Sequence, residues 1–148
     1  MEDKKLTFGE IVAALQEKYT GDPNEYEDNS IRDFAESGFD YVRIPDTYEP
    51  IVEVIGDWQS NRDKRSARRT KYLNENTILG GCVEVDGNGG SDRGSDWWRV
   101  YHFTKHDVYL KIRGYYTSYE GVSLEDGWDS CSEVVPKQVM VTIYEDKK

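Results

Sequence analysis

The sequence predicts an α+β domain in which N-terminal helices pack on an antiparallel sheet formed mainly by the C-terminal half. Three observations predict it: apolar residues recur at helical spacing early in the chain, the period falls to two in the late segments, and the late segments are joined by short connections. Sequential strands so connected pair antiparallel. A length of 148 residues suits one domain with a real core. Within it, residues 1–40 read as helical and acidic, 41–85 as strands carrying a basic insert at 61–72, and 96–146 as antiparallel strands. Apolar residues make up 36% of the chain and aromatics 13%, so the core must lean on large amphipathic rings.

The first helix is predicted over residues 8–19. Thr7 and Glu10 form a capping box, in which each side chain satisfies an orphan backbone N–H. Phe8, Ile11, Val12, Leu15 and Tyr19 make one apolar stripe, and Gly21-Asp22-Pro23 ends the element. A shorter helix is expected from Ser30, with Ile31 and Phe34 inward and Gly38 beyond its end; the polar stretch between the two is a loop. Residues 41–44 and 51–55 read as short strands punctuated by Pro45 and Pro50. The basic stretch 61–72 has helix-favouring residues and no apolar stripe, which leaves a mobile loop or an exposed helix. Residues 78–85 read as a strand weakened by Gly80 and Gly81, and the glycine-rich run 87–95 as a long connection.

The most clearly marked hairpin joins residues 97–103 to 108–116 through Lys105-His106, and residues 134–144 close the sheet with Val139, Val141 and Ile143 alternating against Met140, Thr142 and Tyr144. If Thr104 faces Asp107, then Trp97, Tyr101, Phe103, Val108, Leu110 and Ile112 share the core face. Trp98, His102, Tyr109, Lys111, Arg113 and Tyr115 share the other, with Trp98 opposite Arg113 in a geometry that permits guanidinium stacking. A face so aromatic and basic is either an interface or a surface covered by a helix or loop.

Charge is sorted along the chain, whose net charge is −10: residues 1–57 carry 15 acidic and 5 basic side chains, residues 58–77 are net +4, and residues 78–148 are net −4. Such a field influences which partners are met and how fast, not the fold. The opening Met1-Glu2-Asp3-Lys4-Lys5 does not look like a secretory leader, and no window approaches the roughly 18 consecutive apolar residues of a membrane span. Cys82 and Cys131 are far apart and in no Cys-x-x-Cys arrangement, which reads as two reduced thiols in a cytoplasmic protein with no membrane association.

Tested against chemical motifs, the chain offers no catalytic residue, cofactor or metal site. Residues 86–92 resemble the start of a calcium loop, but Gly90, Ser91 and Trp97 stand where a ligand, the turn glycine and the bidentate carboxylate are required. His102-Phe103-Thr104 matches half of a paired His-x-Thr/Ser phosphoesterase signature, whereas His106-Asp107-Val108 lacks the hydroxyl, so both histidines read as structural or interfacial. There is no Gly-x-Ser-x-Gly elbow, no Lys-Ser/Thr after the glycine pairs and too few ligands for zinc.

The run Val108-Tyr109-Leu110-Lys111-Ile112-Arg113-Gly114-Tyr115-Tyr116-Thr117-Ser118-Tyr119-Glu120-Gly121, then Trp128 and the segment from Val135 to Glu145, resembles the ending of small acidic bacteriophage accessory proteins over about 40 residues. The resemblance implies a protein acting in the cytoplasm of an infected bacterium, in a group that includes inhibitors of host defence, anti-CRISPR proteins among them. It carries no assigned active site.

Two function classes follow. In the first, the chain is a stoichiometric inhibitor of a host protein, such as a nucleic-acid-binding effector, with acidic residues Asp22, Glu25, Glu27, Asp28, Asp33, Glu36 and Asp40, and further along Asp46, Glu49, Glu53 and Asp57, acting as a nucleic-acid mimic. The basic and aromatic residues Arg62, Arg65, Arg68, Arg69, Trp98, Tyr109, Lys111 and Arg113 offer it a second surface. In the alternative, the chain is a small enzyme or ligand-binding protein that holds an anionic group with the arginines of 61–72 or with Lys111 and Arg113. Direct nucleic-acid binding is disfavoured by the net negative charge. The oligomeric state is left open.

Overall fold

The computed structural model describes residues 5–19, 34–35, 43–89, 94–118, 121–124 and 127–147. It shows the predicted α+β class: helices α1 (Phe8–Lys18) and α2 (Trp58–Asn76), and a five-stranded antiparallel sheet of β1 (Cys82–Asn88), β2 (Gly94–Phe103), β3 (Val108–Thr117), β4 (Gly121–Ser123) and β5 (Cys131–Val134). The strands run in the order β1-β2-β3-β4, and β5 pairs with the other end of the same side of β3, after a single 3-10 turn at Gly127–Ser130. Among the described residues no helix is long and apolar enough to cross a membrane.

Helix α1 begins as its sequence dictates. Thr7 Oγ1 accepts from Glu10 N and Glu10 Oε1 accepts from Thr7 N, so the capping box is complete. Ile11 and Leu15 are fully buried, and Tyr19 caps the end. They meet the core face of the β2–β3 hairpin, whose register pairs Phe103 with Val108, Tyr101 with Leu110 and Trp98 with Arg113. That register places all six predicted core residues inside. Phe34, helical and fully buried, lies at the centre of the aromatic packing, with ring centroids 5.2 Å from Tyr101, 5.7 Å from Tyr19 and 6.2 Å from both Phe103 and Trp128. The rest of the expected second helix lies outside the described residues.

Several expectations are corrected. Of the two readings of 61–72 the helix holds, since the stretch is the middle of the 19-residue α2. Residues 51–55 form no strand, and neither do 43 and 44; residues 41 and 42 lie outside the described set. The 43–57 segment instead runs antiparallel alongside α2 as an irregular strap, its backbone bonded to side chains of the helix. The strand expected at 78–85 starts later, at Cys82, because Gly80 turns the chain at φ +73° and Gly81 passes close to the helix. A Cβ on Gly81 would stand 2.8 Å from Thr70 Cα. The glycine-rich connection also shortens, since β1 runs to Asn88 and β2 resumes at Gly94, with a bulge at Val85 where Glu84 faces Tyr101 and Asp86 faces Val100.

The closing strand is the largest departure: β5 is only Cys131–Val134, and residues 135–147 are exposed and unpaired among the described residues. The cause is length. With Val134 opposite Tyr109, only Val108 of β3 remains to pair, and Pro136 then has no N–H to donate.

Candidate partner-binding face

Alternation along β2 and β3 puts Trp98, Val100, His102, Tyr109, Lys111 and Arg113 on the sheet face opposite the core. Val134 joins them opposite Tyr109. With Pro136 and Lys137 as one wall, Trp98, Val100, Tyr109 and Lys111 line an open cleft of about 500 Å³. Neither α1 nor α2 contributes to its lining. Trp98, Tyr109 and Lys111 are half-buried, while Arg113 is exposed.

The face is ordered by its own contacts. His102 and Tyr109, directly opposite across the hairpin, stack at 4.1 Å with planes 3° apart, and His102 Nε2 lies 2.9 Å from Asp107 Oδ1. Asp107 holds a left-handed turn conformation at φ 53°, which the short polar Asp side chain tolerates better than most. Lys111 Nζ sits 4.4 Å from the Trp98 ring centroid. The cation over Trp98 is therefore the diagonal neighbour Lys111 and not Arg113, which the cross-strand register suggests. Beside Lys111 on β5, Ser132 Oγ is buried with no hydrogen-bond partner among the described residues. Stacking and cation–π contact hold the aromatic rings in place, so a partner meets surface with little side-chain entropy left to lose.

The arginines sort differently. Arg68 donates to the carbonyls of Pro45, Tyr48 and Glu49 at 2.8–3.1 Å and lies over the Tyr48 ring. Arg65 pairs with Glu53 at 2.9 Å, Lys71 pairs with Glu49, and Lys64 Nζ donates to Val52 O. Asn61, a residue the sequence reading overlooked, is buried and bonds both backbone groups of Val54, at 2.7 and 2.8 Å. Tyr48 OH donates to Glu75, and its pKa is pushed up to about 12, first by desolvation and then by Glu75. The basic block thus fastens the 43–57 strap to α2. Long donors reach across to backbone carbonyls where no apolar stripe exists, and Leu73 is the only buried apolar residue of the helix.

A cleft of about 830 Å³ between strap, helix and β1 is lined by Arg62, Arg65, Arg68 and Arg69, together with the acids Asp46, Glu53 and Glu84. Arg65 and Arg68 are already engaged, and the acids offset the remaining charge. Arg62 is exposed.

The second histidine is structural. His106, 5% exposed, accepts from Leu6 N at Nδ1 (2.9 Å) and donates from Nε2 to Ile78 O (2.8 Å), which fixes the neutral Nε2–H tautomer. It ties the entry to α1 and the α2–β1 connection to the hairpin turn. The two thiols are free; burial pushes the Cys82 thiol far up, against a small opposing pull from Arg69, and raises Cys131 to about 12. Burial likewise raises the Tyr101 hydroxyl. Among the described residues no group of three His, Cys, Asp or Glu side chains is arranged to hold a metal.

The acidic candidates Asp22, Glu25, Glu27, Asp28, Asp33, Glu36 and Asp40 lie outside the described residues. Of the others, Glu49 and Glu53 pair with Lys71 and Arg65, Asp57 caps α2 by accepting from Ser60 N, and Asp46 lines the strap cleft, so the fold itself uses them. The structure therefore brings together Trp98, Tyr109, Lys111 and Arg113 on one face, and separates them from the arginines of α2. No family model matches the chain, and no curated protein or solved structure shows significant similarity to it.

Proposed function

We propose that the chain is a stoichiometric binding protein of the phage accessory type, which inhibits a host defence or nucleic-acid-processing protein by occupying its surface. The observation that carries this reading is the ordered face of Trp98, Tyr109 and Lys111, whose cleft neither described helix lines, and in which an aromatic centre is flanked by Lys111 and Lys137, with Asp86 in the same lining. Preorganised Trp and Tyr beside a cation are what energetically dominant interface centres are made of. The occupant of that face is a protein surface carrying apolar and acidic groups. The acidic surplus of residues 1–57 plays a different part: it steers the chain toward a basic groove on the same partner, where a nucleic acid otherwise sits.

The test is capture from bacterial lysate with the parent chain and with the Trp98→Ala/Lys111→Glu variant as baits, followed by the mass of the purified complex by light scattering. The reading expects a protein retained by the parent, lost with the variant, and bound one per chain. Equal capture by both baits would remove the face from the account.

A further inference from the structure

Residues 135–147 combine strand chemistry with an absence of strand partners among the described residues. Val139, Val141 and Ile143 alternate with Met140, Thr142 and Tyr144, yet Val139 is 69% exposed, Ile143 72% and Met140 fully so. Their own sheet cannot take them, since β3 ends at Val108 in the β5 register and Pro136 interrupts the ladder. A β-branched segment whose backbone donors and acceptors have no ladder partner among the described residues is a template for another strand.

We infer that residues 137–145 of two copies of this chain pair as an antiparallel ribbon about a two-fold axis through Val141. The sequence is self-complementary in that register. With Val141 facing its own mate, Val139 faces Ile143, Gln138 faces Tyr144, and Lys137 faces Glu145. Symmetry repeats each of these pairs, so β-branched residues meet in the middle and opposite charges meet at both ends. A slip of one residue one way sets Lys137 against Tyr144 and Val139 against Thr142; a slip the other way keeps a charge pair, Lys137 against Asp146, but sets Gln138 against Glu145 and Val139 against Tyr144; a parallel in-register pairing sets Lys137 on Lys137 and Glu145 on Glu145. Both slips lose the two Val139–Ile143 pairs, and the parallel pairing replaces the charge match with repulsion. The ribbon is small, so the dimer is weak and depends on concentration. It shares Lys137 with the cleft wall, but it rests on self-pairing of residues 137–145 rather than on the sheet face.

Sedimentation velocity on the full chain, from about 5 to 500 μM, reads it directly. The parent shifts from monomer toward dimer across that range. Lys137→Glu and Glu145→Lys each weaken self-association by about tenfold or more, because symmetry applies every change twice. An equimolar mixture of the two variants recovers the parent's association, since a ribbon with one strand from each variant again sets an acid against a base at both ends. These exposed positions leave the urea midpoint unchanged, which separates loss of pairing from loss of folding. A monomer at every concentration, or a dimer indifferent to the charge reversals, would overturn the inference.

Discussion

Replacing His106 by Leu removes one side chain and disconnects three parts of the fold. The imidazole accepts from Leu6 N and donates to Ile78 O, and it is 5% exposed. Each lost hydrogen bond is worth about 1 kcal/mol net, and a donor left partly buried without a partner adds about 1–3 kcal/mol. Ile78 lies at the surface, 74% exposed, so water can take over its carbonyl, whereas the Leu6 N–H is the costlier orphan. The expected destabilisation is about 2–4 kcal/mol in total. With a urea slope of roughly 1.5–2 kcal/mol/M for a domain of this size, the midpoint falls by about 1–2.7 M. His106→Gln, whose amide can both accept and donate, should recover part of that loss. The control is His102→Leu: its Asp107 partner is exposed, so the variant should cost under about 1 kcal/mol. A His106→Leu midpoint within about 0.3 M of the parent would refute the bridging role.

Leu15→Ala and Ile112→Ala, both at fully buried positions, should each cost about 2–4 kcal/mol by urea titration, the range for emptying a packed core site. Asn61→Ala should cost about 1–2 kcal/mol and raise hydrogen exchange at the Val54 amide, which it now holds at 2.8 Å; unchanged exchange would mean that the strap stands without it. Both thiols should resist an aromatic disulfide reagent at pH 8 in the native protein and react fast once it is denatured, because burial favours the neutral thiol. Their folded pKa values lie above the unfolded ones, so this stabilisation is complete below about pH 8.5 and is lost as pH rises from there toward 12. A urea midpoint that rises over that alkaline window would contradict the assignment.

What the sequence made legible was periodic. The β2–β3 hairpin follows from strict alternation and a turn of fixed length, and once Thr104 faced Asp107 every side chain had its face assigned. The capping box located α1 for the same reason: its signal is local. Helix α2 was obscured because polar bonds to a preceding segment stabilise it, and only Asn61 and Leu73 are buried along 19 residues. No periodicity records Arg68 reaching back to Pro45, Tyr48 and Glu49. Residues 134–144 misled in the opposite direction: their alternation is that of a strand, but a strand needs a neighbour of matching length, and β3 stops at Val108. Of the candidate site, Trp98, Tyr109, Lys111 and Arg113 were grouped correctly by parity. The choice of Lys111 over Arg113 as the cation above Trp98 depends on the diagonal offset between strands, which pairing alone does not encode.

Partner binding by this chain rests, in the proposed function, on whether the sheet face makes the contact. The most direct measurement is a calorimetric titration of the captured host protein with the parent chain, with Trp98→Ala and Lys111→Ala, and with the Glu25→Lys/Glu27→Lys/Asp28→Lys triple variant, at low and physiological salt. The account predicts one-to-one binding that weakens by about tenfold or more for each face substitution, the scale of a buried interface centre. For the acidic triple variant it predicts a loss that is pronounced at low salt and shrinks as salt screens the field. Binding untouched by Trp98→Ala and Lys111→Ala, but abolished at both salts by the acidic triple variant, would contradict it and place the contact on the acidic block.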